Sequence, residues 1–287
     1  MGMIESKDRA TSTPEARKQA LKQMEKDGVE YALFWFTDIE GHLKSFAITP
    51  SELAGALDDG MGFDGSSITG FNAIEESDMV AIPDPTTYRL MPTREGEAKV
   101  GRMICDVVKP NGEPYEGDPR YVLRRALERM ESMGFDTFNI GPELEYFLFA
   151  DNESTITLDE GGYFAMTALD AATELRNETI RALEGMGIQI EYHHHEVAPS
   201  QHEIDMRYAN ALDMADQTVT YRLIVKEVAA KNGVYATFMP KPLFGENGSG
   251  MHTHMSLFKD GRNQFFDGGD QHNLSPAGKQ FIAGLLR

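Results

Sequence analysis

The stretch GPELEYFLF, residues 141–149, sets the tightest limit on what this chain can fold into. Its Leu, Tyr and Phe content reads as a β-strand with little room for a wet face, yet it carries Glu143 and Glu145. Two residues apart on a strand, both carboxylates point to the same side. Burying two like charges without compensation costs several kcal/mol or more. The fold must therefore bring something positive against that side.

Two further stretches show the same habit. In IQIEYHHHEVAPSQHEIDMRY, residues 188–208, alternation predicts Ile188, Ile190, Tyr192, His194 and Glu196 on one face. A turn centred on Pro199-Ser200 predicts a hairpin pairing 198 with 201 and 196 with 203, which sets Glu196 directly opposite Glu203. In MHTHMSLF, residues 251–258, His252, His254 and Ser256 share one face and Met251, Thr253 and Met255 the other. Each piece alone has a plainer reading: a Glu-x-Glu is most often a solvent face, and a histidine triplet is usually a chance run. Together they supply four carboxylates and one or two imidazoles, a ligand set for hard or borderline cations. Carboxylates suit Mg²⁺ and Mn²⁺, and an imidazole favours tolerance of Mn²⁺. No Cys pair and no His-Glu-x-x-His points to zinc. Two divalent cations would offset about four negative charges, which is what Glu143 and Glu145 require.

The 287 residues suggest roughly two domains. Residues 1–13 read as a flexible lead. Residues 14–108 read as a small α+β domain. It opens with a helix from Pro14 to about Asp27 that stops at Gly28, followed by strand, turn and strand. Thr49-Pro50-Ser51-Glu52 reads as a capping box for a short helix, and GMGFDGSSITGF (60–71) as a glycine-rich loop holding Asp64. The Pro/Gly-rich KPNGEPYEGDPR marks the boundary to an α+β domain over 109–287. Helices are predicted there near 118–133, 169–187 and 211–231, and strands near 135–149, 188–198, 202–208, 233–239 and 251–258. KPLFGENGSGMH (241–252) is a second glycine loop, whose backbone N–H groups could approach a ligand. The closing LSPAGKQFIAGLLR begins as a capped helix and stops without a C-cap, so a chain cut short is expected.

A net charge of −19 argues against nucleic acid, which demands a basic footprint. One cysteine fits a reducing compartment. No signal-peptide core and no long apolar run occur, so a soluble, cytoplasmic protein without a membrane partner is expected.

FDGSSITGF with EESDMVAIPDP, GPELEYFLF, HHHEVAPSQHEID, YATFMPKPLFGENGSGMHTHMSLF and LSPAGKQFIAGLL, in this order, resemble the glutamine synthetase family of bacterial and archaeal type I. The resemblance implies an α+β fold: a β-grasp-like N-terminal domain, then a catalytic domain whose antiparallel sheet lines the active site. It implies that Glu145, Glu196 and Glu203 bind one divalent cation, and that Glu143 and His252 bind a second beside the nucleotide phosphates. Asn247, Gly248 and Gly250 match glutamate-contacting positions; Glu191, His254 and Ser256 match nucleotide-binding positions. Asp64 matches the acid that binds ammonium and takes its proton, and Ser67 a position associated with it. The implied reaction is ATP-dependent ligation of ammonia to L-glutamate through γ-glutamyl phosphate, with Mg²⁺ or Mn²⁺. Rings of six subunits stacked as dodecamers, with sites between neighbours, are implied as well. The family's pattern continues past Arg287 with arginines and a further glutamate, so the resemblance implies a metal cradle here without its arginine clamp. Alternatives are a ligase joining glutamate to a polyamine or other amine on the same fold, and a catalytically incomplete relative acting as a binding or assembly partner.

Overall fold

A computed structural model describes residues 12–68, 77–92 and 96–287. Residues 1–11 of the expected lead, 69–71 of the FDGSSITGF stretch and 75–76 of the EESDMVAIPDP stretch lie outside the described residues. The chain divides between Ala126 and Leu127 into two compact units.

In the first unit, Thr13 caps helix α1 (Pro14–Asp27) by accepting from the Ala16 N–H at 3.2 Å, and Pro14 takes the first position. Gly28, left-handed at φ 70°, ends the helix by donating to the Glu25 and Met24 carbonyls. Strands β1 (Tyr31–Thr37) and β2 (Leu43–Ile48), helix α2 (Leu53–Asp59), and strands β3 (Met61–Asp64), β4 (Asp78–Pro83), β5 (Arg89–Leu90) and β6 (Val100–Val108) follow. The sheet order is β2-β1-β6-β4-β3, with β5 beside β6, and only β1 and β6 run parallel. Ala20 and Met24 of α1 and Leu53, Ala56 and Leu57 of α2 close over Ala32, Phe34 and Met103 of the sheet. Helix α3 (Pro119–Ser132) carries Arg120 in its first turn, anchored on Asp84 at 2.9 Å and Asp106 at 2.5 Å.

Two expectations for this unit change. The helix starts at Leu53 with Glu52 as its cap residue and no side-chain cap bond; Thr49 Oγ1 instead meets Ser51 Oγ at 3.1 Å. Competition from this local hydroxyl contact delays the helix by one turn. The glycine-rich stretch is also not loop throughout, since Met61–Asp64 pairs with β4 as an edge strand.

The second unit is built on one long strand, β7 (Thr137–Phe149). Helix α4 (Thr173–Gly185), strands β8 (Ile190–His195), β9 (Gln201–Met206) and β10 (Ala209–Asn210), helix α5 (Ala211–Lys231), strands β11 (Tyr235–Thr237), β12 (Met251–Lys259) and β13 (Arg262–Asn263), and helix α6 (Pro276–Leu285) complete it. The antiparallel order is β13-β12-β7-β9-β8, and β10 and β11 also pair with β7. Leu144 and Tyr146 alternate with the glutamates and are buried, and Tyr221 of α5 donates its hydroxyl to the Leu144 carbonyl at 3.1 Å. No helix of the described residues is long and apolar enough to cross a membrane.

The β8–β9 hairpin departs from its predicted register. His194 pairs with Glu203 and His195 with His202, while the Glu196 N–H donates to the Gln201 carbonyl at 2.7 Å. The loop therefore has four residues, 197–200, and Glu196 lies diagonal to Glu203 rather than opposite it. Pro199 is the reason: tight two-residue hairpin turns need positive φ at their first central position, and proline fixes φ near −65°. Ser200 takes the positive φ instead, at 55°. A bulge between Ile190 and Tyr192 also breaks the alternation, so Ile190 falls on the face opposite Tyr192 and His194.

Candidate metal centre

Strand pairing gathers the acidic residues on one face of the second unit. Glu145 stands opposite Glu203, and Glu143 opposite His252. His194, paired with Glu203, joins the same face, as does Asp205, two residues further along β9. The histidine triplet is thus divided, because His193 and His195 face the other way, paired with Ile204 and His202. His252 Nδ1 lies 3.4 Å and His254 Nε2 2.8 Å from the two Glu143 oxygens. Glu196 reaches in from the rung before the loop, with its Oε1 3.4 Å from His194 Nδ1, while its Oε2 accepts from the Val197 N–H at 3.0 Å.

This proximity has an electrostatic signature. Burial pushes the Glu203 carboxyl far above the usual carboxylate range, and Asp205 and Glu196 push it further. Burial likewise raises Asp205, with His194 opposing and Glu143 reinforcing. Glu145 is raised by burial, partly offset by the Gly250 N–H and reinforced by Glu196. Such a set binds protons when it holds no metal, and a divalent cation satisfies it better. Carboxylate oxygens with imidazole nitrogens, without thiolate, fit Mg²⁺ or Mn²⁺.

The second glycine loop closes against this face. Gln201 Nε2 donates to Glu145 Oε2 at 2.6 Å and to the Gly248 carbonyl at 3.0 Å, fixing the loop to the carboxylate. A Cβ at Gly250 would stand 2.8 Å from Glu145 Oε1, and one at Gly248 2.5 Å from the Pro240 carbonyl oxygen. Both positions need glycine because backbone and carboxylate approach so closely. Asn247 is exposed on the same loop. His254 and Ser256 continue the His252 face, paired with Gly141 and Asn139. Glu191 is displaced from the ladder at the bulge and lines a surface hollow with Ile190 and Arg207.

In the first unit, Asp64 ends β3. Its Oδ1 accepts from the Ser66 N–H at 2.8 Å and the Ser66 hydroxyl at 2.6 Å, which hold the carboxyl below its ordinary value. Ser67 is exposed in the adjoining turn.

Asp205, Gln201 and the ligand-like orientation of His194 were not singled out from sequence. Counting two residues on from Glu203 would have found Asp205. Gln201 required the true loop length.

Residues 28–110 match the family model described as “Glutamine synthetase, beta-Grasp domain”, and residues 116–287 that described as “Glutamine synthetase, catalytic domain”. The chain is 48% identical over 275 residues to the glutamine synthetase of Clostridium saccharobutylicum, covering 94% of this chain and 62% of that one. It is 47% identical over 277 residues to that of Thermus thermophilus, with the same 94% and 62% coverage. A cryo-EM structure of Plasmodium falciparum glutamine synthetase superposes with a TM-score of 0.86 at 28% identity, covering 99% of this chain and 60% of that one. A structure described as “Apo GmaS without ligand” superposes at 0.85 with 30% identity, covering 92% and 63%. The chain thus spans about three fifths of the length of the curated relatives it matches. With both parts of the chain matched in order, and the acidic strand face lying within the part described as catalytic, the chain belongs to the glutamine synthetase family.

Proposed function

We propose that this chain supplies the metal cradle of an enzyme that joins ammonia to L-glutamate at the expense of ATP, giving L-glutamine through γ-glutamyl phosphate. The observation that carries the reading is the single acidic face on which Glu143, Glu145, Glu203 and His252 meet. Glu145, Glu196 and Glu203 hold one divalent cation, and Glu143 with His252 holds a second. Bound there, two Mg²⁺ or Mn²⁺ ions would neutralise the phosphoryl oxygens of ATP, whose transfer depends on positioning and charge compensation more than on a protein nucleophile. Gln201, on the same face, orients Glu145 by donating to its Oε2.

Asn247, Gly248 and Gly250 present the loop to glutamate; Glu191, His254 and Ser256 contact the nucleotide. Asp64, held ionised by Ser66, binds ammonium and accepts its proton, with Ser67 beside it. Assembly as stacked six-membered rings with sites between neighbouring subunits, and a cytoplasmic location, belong to the same reading, as does the division into a lead (1–13), an N-terminal domain (14–108) and a catalytic domain (109–287).

A full-length protein carrying this chain, supplied with ATP, glutamate and ¹⁵N-ammonium, should release ¹⁵N-glutamine and ADP, and Glu145→Gln should abolish both. Turnover with putrescine but not with ammonium would replace this reading with an amine ligase. Product formation undiminished by Glu145→Gln would remove the metal cradle from it.

A further inference from the structure

We propose that His194, Glu203 and Asp205 form a further divalent-cation subsite, sharing Glu203 with the ions assigned above. One ligand atom from each lies within 4.8 Å of the others, and all three residues are buried. His194 Nε2 is 3.4 Å from Glu203 Oε2 and 4.0 Å from Asp205 Oδ2. Around an ion with ligand bonds of about 2.1 Å, ligand atoms stand about 3.0 to 4.2 Å apart, and these separations fall in that range.

The imidazole is oriented for the role. Its Nδ1 lies 3.1 Å from the His195 carbonyl oxygen, which can only accept, so Nδ1 carries the proton. Nε2 then presents its lone pair to two carboxylates. A lone pair facing two carboxylate oxygens is repulsive unless a positive charge lies between them. Imidazoles held at Nδ1 by a backbone carbonyl, with Nε2 turned inward, are the usual form of metal-ligating histidines. Aromatic rings fix the plane: Phe164 and Tyr163 meet the imidazole edge-on at 4.9 and 5.4 Å, and Tyr192 stacks on it at 5.8 Å.

Asp205 gives the independent observation. It is only 4% exposed, and no N–H or hydroxyl donor reaches its carboxylate oxygens, whose hydrogen-bonding neighbour is the Glu203 carboxyl. A buried carboxylate without such donors is costly, and this one is aimed at the His194–Glu203 pair. One imidazole with two carboxylates suits Mn²⁺ or a similar borderline ion over Ca²⁺. The competing occupant is a second proton on Nε2, which would make an imidazolium.

Titration of the purified chain with Mn²⁺, counted by electron paramagnetic resonance, separates the two. Asp205→Asn should bind one ion fewer per chain than the wild type. With His252 and His254 both replaced by alanine, bound Mn²⁺ should keep its ¹⁴N modulation in spin-echo spectra, and adding His194→Ala should erase it. Equal ion counts in wild type and Asp205→Asn overturn the subsite, as does ¹⁴N modulation absent from the double variant or surviving loss of His194. Should Asp205→Asn fail to fold, the histidine series decides alone. Glu145→Gln tests the two-ion reading separately: an unchanged count there, with one ion lost in Asp205→Asn, would sink that reading and leave the subsite standing.

Discussion

Gly250 shows how little slack the acidic face contains. A methyl group there would stand 2.8 Å from Glu145 Oε1, so either the carboxylate or the loop must move. Gly250→Ala should therefore weaken Mn²⁺ binding by about tenfold or more, the usual cost of disturbing a ligand's support, while the circular dichroism spectrum stays unchanged. Affinity equal to wild type would show that the loop yields freely. A different residue contact holds the hairpin from behind. Asp170 is buried against Arg176, with Oδ1 3.0 Å from the guanidinium, and Arg176 also reaches His193 at 2.9 Å and His202 at 2.8 Å. Burial alone would raise the Asp170 carboxyl; its bonds to Arg176 outweigh that and hold it at about 2, below its ordinary 3.8. A depressed folded-state value stabilises the fold above the ordinary value, and that stability is lost as pH falls through the depressed one. Asp170→Asn, which leaves Arg176 buried and unpaired, should cost about 3–5 kcal/mol in urea unfolding at pH 7. The gap to wild type should narrow below pH 4 and approach its minimum near pH 2. A gap independent of pH would mean that the ion pair contributes nothing.

At the scale of elements, the hairpin depends on Ser200. Its hydroxyl accepts from the backbone N–H of Leu158 at 2.5 Å and of Asp159 at 3.2 Å, tying a distant segment to the turn. Removing that acceptor in Ser200→Ala should destabilise the fold by about 1–3 kcal/mol. Ser200→Gly should do so as well, although it relieves the positive φ, because the lost acceptor matters more than the strain. A glycine variant as stable as wild type would reverse that ranking. The elements also show what could be read from sequence. Strands β7 and β12 run without interruption, so period-two counting placed Glu143 with Glu145 and His252 with His254 correctly, and the pairing of the two strands joins the faces. The β8–β9 hairpin resisted because its bulge at Glu191 and its four-residue loop leave no mark in hydrophobic alternation. Proline's fixed φ was the available clue against a two-residue turn. Asp205 stayed hidden because an Ile-Asp pair following a glutamate reads as ordinary strand alternation until the face is known to be dry.

Across the whole molecule, 46 acidic against 27 basic residues leave a net charge of −19, and part of that excess is concentrated on one sheet face. Divalent cations should therefore stabilise the chain beyond general screening. An ion at about 100 times its dissociation constant adds roughly 2.7 kcal/mol per site that the unfolded chain lacks. The melting temperature should rise more with millimolar Mn²⁺ than with NaCl of equal ionic strength, and the excess should vanish in Glu145→Gln. Equal effects of the two salts would show that the acidic face has no cation-specific role. The compact units divide between Ala126 and Leu127, whereas the glycine/proline punctuation read from sequence lies at 109–120. The acidic face was legible in outline, through residue types on strands, and less so in its outer members, which depend on register.

Strand β7 meets four other strands, and two of them, β12 and β9, set the register of residues assigned to the cradle or its support. A single-residue insertion between Gly141 and Glu145 would exchange Leu144 and Glu143 across the sheet, emptying the cradle and driving a carboxylate into the hydrocarbon beneath α5. A two-residue insertion would restore the parity but slide the side chains about 7 Å along the strand, parting Glu143 from His252 or Glu145 from Glu203. Among length variants of this segment, even steps should keep the fold and lose the cation, while odd steps should cost both.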